Sequence, residues 1–212
     1  MSIIKMPFIH RIRKSMAENT YYRSRGQNVL KTKIDKNASN TLPQQMQRLK
    51  MKELTSLCKA FNSTIEVGFP GRPVTNTPWN AFCSANQNAV NVNEKLVVTV
   101  DYEKLVVAKG SREVVEDMTV MMNEADHELT FTHDVGDFGY GADPTDVVYV
   151  VVLEKERMRS KLFRLNTRND DSSTTVTLPT TWNMKQLAGY VFVLAENGTS
   201  ASDSVYLPIP VS

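Results

Sequence analysis

Hydrophobic and polar residues follow two different periods along the chain, and the period changes near residue 93. Before this point, apolar residues such as Met46, Leu49 and Leu57 recur at the spacing of one helix face. After it, β-branched residues occur in short runs separated by turn residues, a spacing typical of a β-sandwich. The pattern therefore predicts a helical region followed by a mostly β domain.

Two amphipathic helices joined by a loop are expected in the helical region. The first begins near Pro43, after Asn40 or Thr41 as its N-cap, and its apolar stripe continues to about Phe61. The segment VGFPGRPVTNTP follows, and its three prolines and two glycines exclude a continuous helix. The second helix begins at about Pro78. Together they form a helical hairpin whose apolar side must cover another apolar surface.

Eight runs in the last part of the chain have the composition of strands, from KLVVTVDYEKLVVAKG to DSVYLP. In HELTFTHD, Leu129 and Phe131 alternate with threonines, which predicts a strand with one buried face. The run DVVYVVVLE is apolar throughout. We therefore expect it to be a central strand covered on both faces, with the helical hairpin as a candidate cover for one of them.

The first forty residues show no helical period. Basic and apolar residues alternate in NVLKTKI, which indicates short strands or an extended arm. The turn-rich segment IDKNASNTLP separates this part from the first helix. The sequence thus predicts a mostly β chain of α+β class in three parts: a basic extended arm (1–40), a helical hairpin (41–93) and a β-sandwich (94–212).

Charge is distributed unevenly along the chain. The formal net charge is only +2, but residues 1–52 hold twelve Lys or Arg against Glu18 and Asp35, a formal +10 that leaves −8 for the rest. A basic start joined to an acidic body favours contact with a neighbouring copy or with an anionic partner. A basic tail that is merely solvated is the alternative.

Cysteine usage and hydropathy indicate the cellular compartment in which the protein is made. Cys58 and Cys83 fall in the expected helices, so we expect two core thiols rather than a disulfide. The start MSIIKMPFIHRIRKSM lacks the unbroken apolar stretch of a signal peptide, and no window is long enough for a membrane span. These features favour synthesis in a cytoplasm.

The densest polar segment is THDVGDFGYGADPTD, close to His127 and His133. Carboxylates beside glycines suit calcium, but their spacing fits no EF-hand loop, and the two histidines lie too far apart on a strand for one metal ion. We therefore expect no metal and no cofactor, but a solvated acidic loop or an acceptor for a neighbour's basic arm. The candidate acceptor residues are Asp134, Asp137, Asp143 and Asp146.

The basic arm offers two kinds of contact. Its tyrosines and cations can stack on bases and neutralise phosphates, or the arm can add a β-strand to a neighbour's exposed edge. We favour strand addition, because a sandwich has edges to cover and the body supplies the opposite charge. The candidate residues are Tyr21, Tyr22, Arg23, Arg25, Lys31 and Lys33 in the arm, with Arg48 on the first helix.

Two resemblances add to this pattern. The closing segment LAGYVFVLAENGTSASDSVYL resembles the last two strands of fibronectin III-like sandwiches, which implies an immunoglobulin-like C-terminal domain and a corner role for Tyr190. In addition, YYRSRG, KNASNTLPQQMQRLKM, PWNAFCSANQNAV, VDYEKLVVAKGS and DSVYL look, in this order, like an uncharacterised family of gut-type anaerobic bacteria and their phages. The matching positions are Tyr22, Arg23, Asn40, Gln44, Gln45 and Arg48.

This second resemblance implies a function. Some members of that family look like phage virion proteins, and the tail-ring components of crass-like phages are sandwich-bearing proteins of similar size. The implied role is a non-enzymatic structural subunit of a cyclic homo-oligomer that contacts other virion proteins, such as a ring in the tail or head-to-tail connector. It would be made in the host cytoplasm and reside in the virion.

Two other functions remain open at this point. One is a bacterial surface or carbohydrate-binding sandwich module, for which Trp182 is the only suitable loop aromatic. The other is a nucleic-acid-binding protein that uses the basic arm, in a bacterial cytoplasm. No nucleophile, base and oxyanion-binding group stand together in any motif, so the sequence does not predict an enzyme.

Overall fold

The structure is a computed structural model that describes residues 2–4, 14–33, 40–115, 117–135, 139 and 141–210. The chain divides into two compact units, Met1–Thr41 and Leu42–Ser212. We call the second unit the body and describe each unit by itself. The fold is mostly β and of α+β class, with a sandwich-like body, as the sequence predicted.

The first unit contains a four-stranded antiparallel sheet, which we call the N-terminal sheet. Its strands are β1 (Ser2–Ile4), β2 (Lys14–Met16), β3 (Asn19–Ser24) and β4 (Gln27–Thr32), in the order β1-β4-β3-β2. Over the described residues the segment is therefore not the single extended arm that the sequence suggested. Tight turns fold it back on itself: Ala17–Glu18 joins β2 to β3, and Arg25–Gly26 joins β3 to β4.

Three α-helices lie in the described part of the body. They are α1 (Leu42–Ala60), α2 (Asn62–Gly68) and α3 (Pro78–Ala85). The hydroxyl of Thr77 caps α3 by accepting a hydrogen bond from the backbone N–H of Asn80 at 3.2 Å. The predicted pair of helices is confirmed, and the structure adds the short α2, which follows α1 with a break at Phe61.

Three antiparallel sheets make up the rest of the body. A hairpin pairs β5 (Val90–Val92) with β6 (Val98–Val100). A three-stranded sheet has the order β11-β8-β7, and a four-stranded central sheet has the order β10-β9-β12-β13. Their strands are β7 (Thr119–Asn123), β8 (Glu128–Thr132), β9 (Val147–Glu154), β10 (Arg159–Thr167), β11 (Thr174–Thr177), β12 (Leu187–Leu194) and β13 (Val205–Leu207).

The inner strands of the central sheet, β9 and β12, are buried on both faces, and each face belongs to a separate hydrophobic core. On β9, Val151 and Leu153 belong to the core that includes the helices, whereas Val148, Val150 and Val152 belong to the core shared with the three-stranded sheet. Alternate residues of a strand point to opposite faces, so one apolar run supplies both cores. The prediction that DVVYVVVLE is a doubly covered central strand is confirmed.

The first core joins the helices to the central sheet. Phe61 lies 6.0 Å from Phe82 and 5.8 Å from Tyr190, measured between ring centroids, and all three side chains are fully buried. The hydroxyl of Tyr190 donates to the backbone carbonyl of Tyr102 at 2.8 Å. Tyr102 lies far upstream in a 3-10 helix, so Tyr190 does not form the local corner that the resemblance implied.

No helix in the described residues is long and apolar enough to cross a bilayer.

Candidate functional site

The basic and aromatic residues of the N-terminal sheet are divided between its two faces. Tyr22 pairs directly with Val29, and Tyr21 pairs with Leu30, so the adjacent tyrosines point to opposite sides. On the Tyr22 side, the ammonium of Lys31 lies 5.9 Å from the tyrosine ring centroid. Arg23 shares the other side with Tyr21. The structure therefore does not bring this set into one stacking platform.

The remaining basic candidates occupy three further places. Arg25 is exposed in the β3–β4 turn, where its φ of 49° and the φ of 82° at Gly26 match a type I′ hairpin turn. Lys33 is exposed just beyond β4, and its backbone N–H donates to the carbonyl of Glu18. Arg48 lies on α1, in the other unit.

Asp146, one of the four predicted acceptors, lies at the centre of a buried ionic network. It is only 1% exposed. Its Oδ1 atom is 3.1 Å from Nη1 of Arg112, and its Oδ2 atom accepts from the backbone N–H of Asp143 at 3.1 Å. The same Oδ2 lies 4.0 Å from Nε of Arg168. This carboxylate is therefore buried and paired within its own chain.

The two arginines hold three segments of the body together. Arg168 donates to the backbone carbonyls of Glu113 and Val114, and its own backbone N–H donates to the carbonyl of Asp146 at 2.8 Å. Burial lowers the pKa of the Arg168 guanidinium, and the Asp146 carboxylate opposes that shift. The pKa of Arg112 is raised, chiefly by its hydrogen bond to Asp143. Asp146 is thus a structural anchor between two cations.

The other three acidic candidates differ in their surroundings. Asp143 is exposed but forms an ion pair with Arg112. Asp134 is exposed next to the buried His133, and Asp137 lies outside the described residues. Of the four predicted acceptors, Asp134 is therefore the exposed one for which the structure gives no ion pair within the described chain. Local sequence did not reveal the network, since Arg112 and Arg168 come from distant segments.

Neither the histidines nor the cysteines form a metal centre within the described residues, where no group of three or more His, Cys, Asp or Glu is placed to hold an ion. The Sγ atoms of Cys58 and Cys83 lie 3.4 Å apart as free thiols, as predicted, although Cys83 is only half-buried. Burial raises the pKa of the Cys58 thiol, which makes it a poor nucleophile at neutral pH. We assign the pair to packing between α1 and α3.

The family comparison covers nearly the whole chain. A family model described as "Family of unknown function (DUF6266)" matches residues 11–208. The chain belongs to this family. Its description gives no activity, partner or location, so the family supports no particular role for the N-terminal sheet or the Asp146 network. No curated protein matches the sequence.

Proposed function

We propose that the protein is a non-enzymatic structural subunit of a homo-oligomeric assembly, in which the N-terminal sheet of one copy binds the body of the next. The observation that carries this proposal is the small core of that sheet. Val29 is its one buried hydrophobic residue among those described, and the flanking Tyr21, Tyr22 and Leu30 are half-buried. A sheet of three or more strands is stable by itself only if it has a hydrophobic face, and the described residues of this sheet bury little, so it needs a second surface.

Charge favours the body of another copy as that surface. The unit of residues 1–41 has nine Lys or Arg and two acidic residues, a formal +7, whereas residues 42–212 have sixteen Lys or Arg and twenty-one acidic residues, a formal −5. Arg23, Arg25 and Lys31 are all exposed. Opposite potentials on two surfaces speed association and fix the partner. A contact between unlike patches is also what a closed ring requires.

Strand β7 is the best acceptor on the body. It is an edge of the three-stranded sheet, contains no Lys, Arg or Pro, and leaves Met121 74% exposed. Lys, Arg and Pro commonly protect the edges of sheets from pairing with another chain, and the edge strand β10 carries three Lys or Arg residues. Asp117 and Glu124 lie on either side of β7 in the sequence. This edge therefore suits an edge strand of a neighbour's N-terminal sheet, such as β2 with its exposed Lys14, better than the occupied Asp146 network does.

A finer form of the proposal names the assembly. In it the protein is a virion component, a ring in a phage tail or head-to-tail connector, made in the host cytoplasm and in contact with other virion proteins. This form rests on the family resemblance given above and not on the geometry. Electron microscopy of purified oligomers checks it, since closed rings of uniform copy number are expected and open or irregular aggregates contradict it.

The two alternative functions receive less support. Trp182, the loop aromatic that a carbohydrate-binding module would use, is 7% exposed and packs in the core next to the three-stranded sheet. Nucleic-acid binding would gain from both tyrosines on one surface, but Tyr21 and Tyr22 point to opposite sides of their sheet. Salt-dependent retention on immobilised single-stranded DNA would nevertheless favour the second alternative over ours.

The test is light scattering of the full chain across a range of salt concentrations. We expect an oligomer that dissociates as ionic strength rises, because exposed charges are screened. Met121→Lys should shift it to monomer by placing a cation on the acceptor edge. Reversing charge with Arg23→Glu and Lys31→Glu should do the same from the other side. A monomeric wild-type chain would refute the proposal.

A matched control separates the interface from general effects. Met51→Lys makes the same substitution at an exposed methionine of α1 and should leave the oligomer unchanged. A chain that lacks residues 1–41 should be monomeric, with the thermal unfolding of the body retained. If that truncated chain forms the same oligomer, the N-terminal sheet does not carry the assembly.

A further inference from the structure

A groove of about 610 Å³ lies on the body. It shares no lining residue with the concave surface at Asp143 and Asp146. Its walls come from the segment after α2, from α3 and from the loop at Lys109–Ser111. Its volume is that of sites that hold small organic ligands. The lining residues are Phe69, Gly71, Arg72, Pro73, Asn76, Ala81, Ser84, Ala85, Lys109, Gly110, Ser111 and Ser200.

One wall positions a guanidinium group. Arg72 lies between Gly71 and Pro73, and its Nη1 atom donates to the backbone carbonyl of Phe69 at 2.7 Å. This bond orients the half-buried side chain, while the remaining N–H groups of the guanidinium are potential donors to a ligand. Pro73 next to Arg72 fixes its own φ, which reduces the backbone freedom that this wall loses when a ligand binds.

The opposite wall is held by close backbone contacts at two glycines. A Cβ atom on Gly110 would collide with the carbonyl of Ala201, and one on Gly68 would collide with the carbonyl of Val107. The backbone N–H of Lys109 donates to the carbonyl of Gly68 at 2.9 Å. The loop that presents the exposed Lys109 ammonium is therefore anchored on both sides. Its position is determined by the fold and does not require a ligand.

The charge of the groove is opposite to that of the body. Two cations, Arg72 and Lys109, line it, and no carboxylate does so among the described residues. Two other concave surfaces of the body contain carboxylates, one with Asp143 and Asp146 and one with Asp101 and Glu103. One carboxylate lies beside this lining, because Asp203 accepts from the backbone N–H of Gly110 at 3.1 Å. On a body of formal charge −5, the groove is still a concave surface whose lining side chains include two cations and no carboxylate.

We propose that this groove binds a small organic anion, a phosphate monoester or carboxylate attached to an apolar group. The Arg72 guanidinium and Lys109 ammonium contact the anion, and the serine hydroxyls of the lining add hydrogen bonds. The ring of Phe69 and the methyl groups of Ala81 and Ala85 contact the apolar group. This inference is independent of the assembly proposed above, because it involves neither the N-terminal sheet nor β7.

The test is isothermal titration calorimetry of the full chain with four probes. Phenyl phosphate and benzoate carry both an anion and a ring, inorganic phosphate lacks the ring, and benzyl alcohol lacks the charge. We expect phenyl phosphate, benzoate or both to bind at least about tenfold more tightly than the last two. Benzyl alcohol lacks the charged hydrogen bonds, and inorganic phosphate lacks the apolar area that the ring buries; either loss amounts to roughly that factor. Binding of phenyl phosphate alone assigns phosphate monoesters, and binding of both assigns organic anions generally.

Variants locate the site. Lys109→Gln removes an exposed charge and should weaken binding about tenfold. Lys104→Gln is the matched control, because that ammonium pairs with Asp101 outside the groove and its loss should leave binding unchanged. Ser84→Trp, at an exposed position of the lining, should abolish binding by filling the groove.

Circular dichroism should show that these variants remain folded. The proposal is overturned if none of the four probes binds, if inorganic phosphate or benzyl alcohol binds as tightly as phenyl phosphate, or if Lys104→Gln weakens binding as much as Lys109→Gln does.

Discussion

The two compact units of this chain are stabilised in different ways. The body buries both faces of the inner strands of its central sheet, and aromatic residues such as Phe61, Phe82 and Tyr190 are fully enclosed. The N-terminal sheet has one layer and buries Val29. Burial of apolar area is the main source of stability, so the body should fold by itself, whereas the sheet should depend on a second surface.

The two units also differ in how they place their charged side chains: some are buried and paired in the body, whereas those of the N-terminal sheet are exposed. In the body, one of the four carboxylates predicted to lie in an acidic loop, Asp146, is enclosed by Arg112 and Arg168. In the N-terminal sheet, Arg23, Arg25 and Lys31 are exposed. Buried ion pairs contribute to a defined structure, whereas exposed charges mainly guide association. The comparison teaches that the body pairs its central charge internally, whereas the described cations of β3 and β4 stay exposed, and under the proposed function these cations guide association.

The largest effect is expected from Phe61→Ala. The side chain is fully buried between Phe82 and Tyr190, so its loss removes transfer energy and leaves a cavity. We expect the free energy of unfolding of the body to fall by about 3–5 kcal/mol in urea denaturation monitored by tryptophan fluorescence. A loss below about 1 kcal/mol would mean that the helices do not form one core with the central sheet.

The second prediction concerns the buried carboxylate. Asp146→Asn removes the main countercharge of the buried Arg168 guanidinium, and should destabilise the body by about 3 kcal/mol in the same assay. Asp143→Asn is the control, because its carboxylate is exposed and its pairing with Arg112 should contribute less than about 1 kcal/mol. Equal losses for the two variants would contradict the distinction between a buried anchor and a surface pair.

Much of the fold could be predicted because periodicity reports burial directly. The alternation of Leu129 and Phe131 gave a strand with one buried face, and both side chains are buried in β8. The continuous apolar run of β9 predicted a strand that is buried on both faces, and its alternate residues do lie in two separate cores. The N-terminal hairpins were missed as a sheet, because Arg25–Gly26 is not one of the commonest turn dipeptides and gave no clear hairpin signal.

The candidate site could be predicted only in part. The exposure of Arg23 and Lys31 agrees with their residue type, because charged residues of a short strand are rarely buried, and their predicted role in partner binding stays a prediction. The partners of Asp146 could not be found, since Arg112 and Arg168 approach it through tertiary folding alone. Likewise, nothing local to Arg72 or Lys109 indicates that α3 and two glycine contacts place them on one groove.

An intermediate effect, limited to one unit, is expected from Val29→Ala. Removing part of this buried side chain should destabilise the N-terminal sheet by about 1.5 kcal/mol, from the apolar area lost. Hydrogen exchange of the β3 and β4 amides should accelerate about tenfold, while exchange in β9 and β12 stays unchanged. If exchange accelerates equally in all four strands, the two units unfold together and the contrast between them is wrong.

The smallest effect is expected in the β3–β4 turn and should stabilise it. Arg25 adopts a φ of 49°, a region that asparagine tolerates better than other residues with a Cβ, and Asn-Gly is a favoured type I′ sequence. Arg25→Asn should therefore slow exchange of the neighbouring β3 and β4 amides two- to threefold, which corresponds to roughly 0.5 kcal/mol. Arg23→Asn, two residues away within β3, removes the same charge but has no turn strain to relieve, and asparagine is unfavourable in strands. If both variants slow exchange equally, reduced charge repulsion explains the gain. If only Arg25→Asn does so, the backbone of the turn limits the stability of this unit.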